Sequence, residues 1–516
     1  MKIVKKISLF ALLAATLLSD RQALASEFKL ATLFSDHAVL QSEKAIPVWG
    51  WAEPGDTVTV TFGEQQKSTI TDTTGKWEVR LEPEPPSKHS RQLMASSAKT
   101  QTDLIAEDIL VGEVWLGSGQ SNMAMRVSGC KDFDQERIAA DWPQIRMFTE
   151  SSGPANKPQP DAKGKWIVCT PQTVGSFSGT LYFFGRRVHS EMKVPVGLIN
   201  SSDGGVPIES WIPAEVQNRI PALRTRYETL LHEWQAFDVP AAEKEHEAAM
   251  EQWKKEVTAA NAAGAPPPRQ PYPGALRQHH RQGAPGGLFS GKINPLIPYA
   301  IRGVLWYQGE HNAYWETADL YQHQLPELIH AWRERWGSEL PFAWVQLPNI
   351  NRGKEWALIR EAMLKALRLP NTGMAVTIDI GEVHNIHPLN KQDVGMRLAL
   401  WALGEVYDRE VPATSGPLPT GHEVRGNEII LSFAHTNGGL RAKGVELTGF
   451  KITGTDRQWL PARARIDADQ VVVSHPKVES PVAVRYAFDG NPECNLVNGA
   501  GLPASPFRTD DWPVQR

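Results

Sequence analysis

The sequence predicts an α/β fold: a parallel sheet with helices on both faces, flanked by an N-terminal and a C-terminal β-sandwich. Three observations carry this. Between residues 108 and 405, short apolar runs alternate with stretches of helical periodicity, the signature of strands joined by crossover helices. Ahead of that region apolar residues recur at every second position between turn signals. Behind it the period-two pattern returns.

The elements follow in order. Lys2, Lys5 and Lys6 precede a mostly apolar stretch, Ile7 to Leu18, and then Ala23-Leu24-Ala25. A basic start, a short apolar centre and an A-x-A site predict a signal peptide over residues 1–25. Twelve residues are too few to span a bilayer. The mature chain is therefore expected to be periplasmic or secreted, with no membrane attachment after cleavage. In residues 26–107, Val58, Val60 and Phe62 alternate with threonines after the turn Glu53-Pro54-Gly55-Asp56. Trp77, Val79 and Leu81 alternate after Thr73-Thr74-Gly75-Lys76. These predict the N-terminal β-sandwich.

Residues 108–405 hold four apolar strand candidates: Ile109–Leu116, Val194–Asn200, Ile301–Gln308 and Met374–Ile380. Leu325, Leu328, Ile329, Trp332 and Trp336 share one helical face, and Gly337 stands where a C-terminal glycine is favoured. A second helix is expected near Asp393, with Val394, Leu398 and Ala402 aligned. Residues 223–290 interrupt the pattern: a charged, helix-prone excursion from Glu228 to Val257, then a Pro/Ala-rich stretch from Ala262 to Pro273 expected to be mobile or extended. From 406 to 516, Glu428–Phe433, Gln470–Val473 and Pro481–Tyr486 are strand candidates of the C-terminal β-sandwich.

A net charge of −4 and the absence of basic clusters argue against nucleic acid. Three cysteines, Cys130, Cys169 and Cys494, allow at most one disulfide. His384 and His387 lie close together without an accompanying acid or cysteine cluster, so no metal site is expected. Most of the 18 tryptophans belong to the core on this reading. Trp211, Trp306 and Trp315 flank the polar loops and are candidates for stacking on a sugar face.

The four strand candidates end in loops that carry chemistry, and in open α/β sheets the ligand site lies outside the carboxyl ends of the strands. The first runs into Gly117-Ser118-Gly119-Gln120-Ser121-Asn122-Met123, a glycine turn with a serine at its tip. The second runs into Ser201-Ser202-Asp203-Gly204-Gly205. The third ends in Gln308-Gly309-Glu310-His311-Asn312, and the fourth leads into Gly381-Glu382-Val383-His384-Asn385-Ile386-His387-Pro388. A serine, an oxyanion-type glycine loop, an amide-plus-acid loop and a histidine thus appear in that order.

This arrangement resembles the SGNH-hydrolase superfamily and, within it, the sialate O-acetylesterase family. The resemblance rests on Gly112 to Met123, Trp306 to Asn312, Asp379-Ile380-Gly381 with Ile386 to Lys391, and the flanking pieces Leu33 to Gln41 and Gly501 to Asp510. It implies an SGNH-type, flavodoxin-like sheet. It implies Ser121 as nucleophile rather than Ser118, and His387 as general base and acid rather than His384. Many SGNH enzymes place an aspartate three residues before the histidine, but here His384 stands there. Glu310, Asp379 and Glu382 remain as the acid. Glu310 is favoured, and a dyad is the fallback. The Ser121 and Gly205 N–H groups are the expected oxyanion donors, with the Gln308 amide third and Asn312 behind it. Gln120 and Asn122, beside Ser121 in the motif, complete the expected substrate-binding set.

The expected reaction is hydrolysis of an O-acetyl ester on a sugar through an acetyl-Ser121 intermediate, with no cofactor, in a monomer or homodimer. By resemblance the sugar is a sialic acid, and acetylxylan or another acetylated glycan is the alternative. A carbohydrate-binding protein without catalysis is a second reading, against which Ser121, His387 and Glu310 together argue. A lipase or peptidase is a third, against which the lack of a Gly-x-Ser-x-Gly elbow counts.

Overall fold

The computed structural model describes residues 27–313 and 317–514. The expected signal peptide and Trp315 lie outside the described residues. Six parallel strands form the centre: β1 (Thr102–Gly119), β2 (Trp142–Thr149), β3 (Val196–Ser202), β4 (Gly303–Tyr307), β5 (Phe342–Gln346) and β6 (Thr372–Val376). Their spatial order is β2-β3-β1-β4-β5-β6, with an antiparallel strand, Trp166–Cys169, on the outer edge of β2. Apart from β2, the order is the flavodoxin-like one, and its switch point lies at β1. Every residue of β4 and β5 is buried, which is why these strands read as continuous apolar runs.

The helices that bear on the site are α1 (Ser121–Ala124), α2 (Gly179–Met192), α3 (Pro221–Ala236), α4 (Val239–Ala262), α5 (Gly274–Gln282), α6 (Glu310–Ala313), α7 (Tyr321–Trp336), α8 (Glu355–Ala366) and α9 (Lys391–Trp401). α2 packs on α9 and α7 on α8. α7 ends as the sequence implies: Gly337 takes a left-handed φ of 62° and its N–H reaches back to the carbonyls of Arg333 and Glu334. The excursion is two helices, α3 and α4, broken at Asp238, whose side chain caps α4 by accepting from the Ala241 N–H at 2.9 Å. After the proline-rich stretch the chain forms α5, a helix the sequence reading did not expect. His279 of α5 stacks on Phe237 at 4.5 Å and on Trp234 at 5.5 Å, which fastens α5 to the end of α3.

The N-terminal region differs from expectation. Strands Ile46–Trp51 and Lys76–Leu81 pair in one small sheet, while Thr57–Phe62 and Ser87–Ser97 pair onward to β1 itself. The boundary placed at 107/108 therefore falls inside a continuous strand. Asp108, at φ 55°, marks an irregularity in that strand where the pairing register shifts rather than a linker. Val58, Val60, Phe62 and Trp77 join the same apolar core as Trp115 and Leu116.

The C-terminal region has two four-stranded antiparallel sheets around a core of its own, including Ile429, Leu431, Ile452, Val484 and Phe507. It is bolted to α8. The fully buried Arg360 guanidinium donates to the carbonyls of Leu347 and Pro348 on one side and of Asp489 and Gly490 on the other. Arg508 makes a two-pronged pair with Glu361, both contacts at 3.0 Å.

Candidate active site

β1 breaks into α1 at Gly119. Its φ is 129°, and a Cβ there would lie 2.2 Å from the Tyr307 carbonyl oxygen, so only glycine fits. That carbonyl accepts the Gln120 N–H at 2.9 Å, which pins the turn to the end of β4. Ser121 is then the first residue of α1, with its N–H free of intrahelical partners.

The loop after β6 brings His387 to it. His387 Nε2 lies 2.7 Å from Ser121 Oγ. Burial, and then the positive charge of Lys391, press the His387 pKa below its ordinary value. The ring is therefore neutral at neutral pH, and the serine hydroxyl donates to it. His384 is exposed on the same loop. Ser118 is buried within β1, and its hydroxyl has no partner among the described residues.

No carboxylate among the described residues bonds the His387 ring. Glu310, the favoured acid, is 1% exposed in α6. Its Oε1 accepts from Asn122 Nδ2, and its Oε2 has no partner among the described residues. Burial pushes its pKa up. Asp379 is taken by Arg397, at 2.6 and 2.9 Å. Glu382 shapes the histidine loop, accepting from the Leu389 N–H at 2.7 Å and from Asn385 Nδ2 at 3.0 Å. The expectation that Glu310 orients the ring is corrected: Glu310 lines the cavity with Ser121 and His387, but its carboxylate is bonded to Asn122 and not to the imidazole.

Two expected ligand contacts are also corrected. Gln308 is fully buried. Its Nε2 serves Asn312 Oδ1 at 2.8 Å, the Val206 carbonyl at 3.2 Å and Gln120 Oε1 at 3.3 Å, and its Oε1 accepts from Tyr321 at 3.0 Å. Asn312 accepts from the Ile208 N–H and donates to Glu209 at 2.9 Å. Both amides are buried and tie loops together, and the Gln308 nitrogen is fully committed within the protein. Asn122 is likewise fully buried and engaged. Trp211 and Trp306 are fully buried against each other, edge to face at 6.0 Å, so they are core rather than sugar platforms.

A cavity of about 450 Å³ opens over Ser121, lined also by Gln120, Gly204, Gly205, Arg281 and His387. Gly205 has φ 70°, and its carbonyl accepts from His311 at 3.0 Å. The N–H groups of Ser121 and Gly205 have no acceptor among the described residues. Gln120 spends its Oε1 on Gln308 and on the His311 N–H, and its Nε2 has no partner there either. Arg281 was not anticipated. It reaches the cavity from α5 and pairs with Asp203 on the glycine loop, Nε at 3.0 Å and Nη2 at 2.9 Å. The two residues are 78 apart in sequence, and no local signal joins them. The other residue missed is Lys391, fully buried beside Asn122.

Among the described residues no group of three or more histidines, cysteines and acids could hold a metal ion, and no helix is long and apolar enough to cross a membrane. Cys130, Cys169 and Cys494 are all free thiols.

Residues 275–402, which include Glu310 and His387, match the family model described as carbohydrate esterase, sialic acid-specific acetylesterase. The chain is 28% identical to the sialate O-acetylesterase of Mus musculus, over 93% of this chain and 94% of that one. Against the Homo sapiens sialate O-acetylesterase it is again 28% identical, over 93% and 92%. The crystal structure of a carbohydrate acetylesterase from Xanthomonas citri superposes with a TM-score of 0.79 at 34% identity, covering 94% of this chain and all of that one. The chain belongs with the carbohydrate acetylesterases, is similar over nearly its whole length to sialate O-acetylesterases, and is a carbohydrate O-acetylesterase.

Proposed function

We propose that this esterase removes O-acetyl groups from sialic acids through an acetyl-Ser121 intermediate. The observation that carries the mechanism is the 2.7 Å contact between Ser121 Oγ and a neutral His387 Nε2. His387 takes the hydroxyl proton as Ser121 attacks the acetyl carbonyl carbon. The N–H groups of Ser121 and Gly205, with Gln120 Nε2 in place of Gln308, receive the developing oxyanion. The imidazolium returns its proton to the departing sugar hydroxyl. A water molecule then attacks the acetyl-serine, His387 again accepting a proton, and acetate leaves with Ser121 restored. No metal or organic cofactor enters these steps. The Ser121–His387 contact also weighs against a binding protein without catalysis.

The sialic acid reading is supported by the names of the mouse and human relatives and by Arg281, whose guanidinium lines the cavity and is 40% exposed. A carboxylate-bearing sugar suits that group better than a neutral one. The second reading, another acetylated glycan such as xylan, draws on the Xanthomonas relative, named only a carbohydrate acetylesterase. Export after loss of residues 1–25 is part of the proposal, and the N-terminal sequence of the mature protein tests it. The deciding experiment is acetate release from O-acetylated sialic acid and from acetylated xylan, comparing the mature protein with Ser121→Ala. Ser121-dependent release from the sialic acid alone upholds the proposal. Preference for xylan retains the mechanism and changes the substrate. Release unaffected by Ser121→Ala overturns the mechanism.

A further inference from the structure

A serine–histidine pair needs the imidazole held in one orientation, and triads do this with a carboxylate on Nδ1. Here Glu310, Asp379 and Glu382 are each committed elsewhere or turned away. We infer that His387 is positioned through its backbone, by Asn122 and Lys391, in place of a carboxylate on its ring. This rests on the Ser121–His387 reading above.

The two carbonyls that flank His387 are each held by a buried side chain. Asn122 Nδ2 donates to the Ile386 carbonyl at 2.9 Å, and Lys391 Nζ donates to the Pro388 carbonyl at 2.7 Å. The holders are joined, Lys391 Nζ donating to Asn122 Oδ1 at 2.8 Å. The second Asn122 N–H goes to Glu310, which fixes the way the amide faces. The Lys391 ammonium also sits 5.4 Å from the Tyr307 ring centre. On the other side of the residue, Asn385 Oδ1 accepts the His387 N–H at 3.0 Å. The peptide ahead of the histidine is thus held at both its carbonyl and its N–H, and the chain behind it is held at the Pro388 carbonyl.

The clamp also sets the distance between the reacting groups. Asn122 directly follows Ser121, so one side chain couples the nucleophile turn to the base loop. Burying an ammonium with no opposed carboxylate in contact is unfavourable, and burial pushes Lys391 down to about 8. A merely apolar filler would avoid that penalty, which argues that the donors themselves are needed here. The charged and titratable groups around His387 are Lys391 and Glu310, Glu382 on its own loop, and Arg281 and His311 across the cavity.

The test measures kcat, KM and the pH profile with 4-nitrophenyl acetate, and melting, for Lys391→Met, Asn122→Leu and Asn122→Asp beside Ser121→Ala. Asn122→Asp keeps the acceptor for Lys391 and gains an ion pair with it while losing the donor to Ile386 and Glu310, and melting identifies which variants are folded. The expected result is a fall in kcat of at least about thirtyfold for each clamp variant with KM within about twofold, from a misplacement of the base. Lys391→Met should also move the acid limb of the profile to higher pH, since the charge that depresses His387 is gone, while the fall in kcat at unchanged KM reports the misplaced base. Folded clamp variants with kcat within about threefold of the parent overturn the inference. Activity that survives Ser121→Ala overturns the reading beneath it instead.

Discussion

Glu310→Gln separates two accounts of the active site, because they differ by orders of magnitude. If Glu310 held the His387 ring in solution, its amide would present the wrong partner to Nδ1. Loss of that role in a serine triad lowers kcat by about 10⁴-fold, roughly 5 kcal/mol. The structure assigns the carboxylate a smaller task. One oxygen accepts from Asn122 and the other has no partner among the described residues, in a side chain only 1% exposed. A glutamine keeps the acceptor for Asn122 and exchanges a charge-assisted bond for a neutral one, a change of about 1 kcal/mol. Burial already raises the Glu310 pKa, which brings the neutral side chain closer to the native one. The expected loss in kcat is therefore no more than about tenfold. Steady-state hydrolysis of 4-nitrophenyl acetate and of O-acetylated sialic acid, with melting as a fold control, measures it. A folded Glu310→Gln enzyme slower by a thousandfold or more in kcat would refute the dyad account.

Four further outcomes follow from the same geometry. Only neutral His387 accepts the serine proton, and its pKa is depressed, so kcat/KM should fall with acid along a limb centred below 6.5; a limb centred above 6.5 would contradict the burial and the Lys391 charge that set it. Arg281→Gln should lower kcat/KM on O-acetylated sialic acid about tenfold more than on the methyl ester of the same sugar, the worth of about one charge-assisted hydrogen bond, and equal losses on the two would remove Arg281 from substrate recognition. Gly119→Ala should cost about a hundredfold in kcat, since the new methyl meets the Tyr307 carbonyl and displaces Ser121, and an active variant with an unmoved turn would show that the loop yields more readily than this. Arg360→Met leaves four carbonyls without their charged donor and should destabilise the protein by about 3 kcal/mol or more, read from denaturant unfolding of the region that contains α8.

Ser121 and His387 could be singled out by their match to the family's motifs, and both lie in loops after apolar strands of a parallel sheet, ends that topology brings together. The errors are of another kind. Trp306 is the fourth residue of β4 and Trp211 follows a short turn, yet both face inward, and nothing in residue type separates a core indole from a sugar platform. Gln308 and Asn312 lie in the right loop but spend their amides on Tyr321, Val206 and Glu209, partners contributed by other segments. The boundary at 107/108 failed because turn-like residues such as Glu107 and Asp108 bend a strand here instead of ending it. Glu310 is the instructive case. It lies in a four-residue helix and lines the cavity beside His311, yet its carboxylate turns to Asn122 and not to the imidazole. That choice depends on Lys391, eighty-one positions away, whose ammonium occupies the far side of the same asparagine. A motif places backbone beside backbone; which way a buried carboxylate points is decided by the donors the rest of the fold delivers to it.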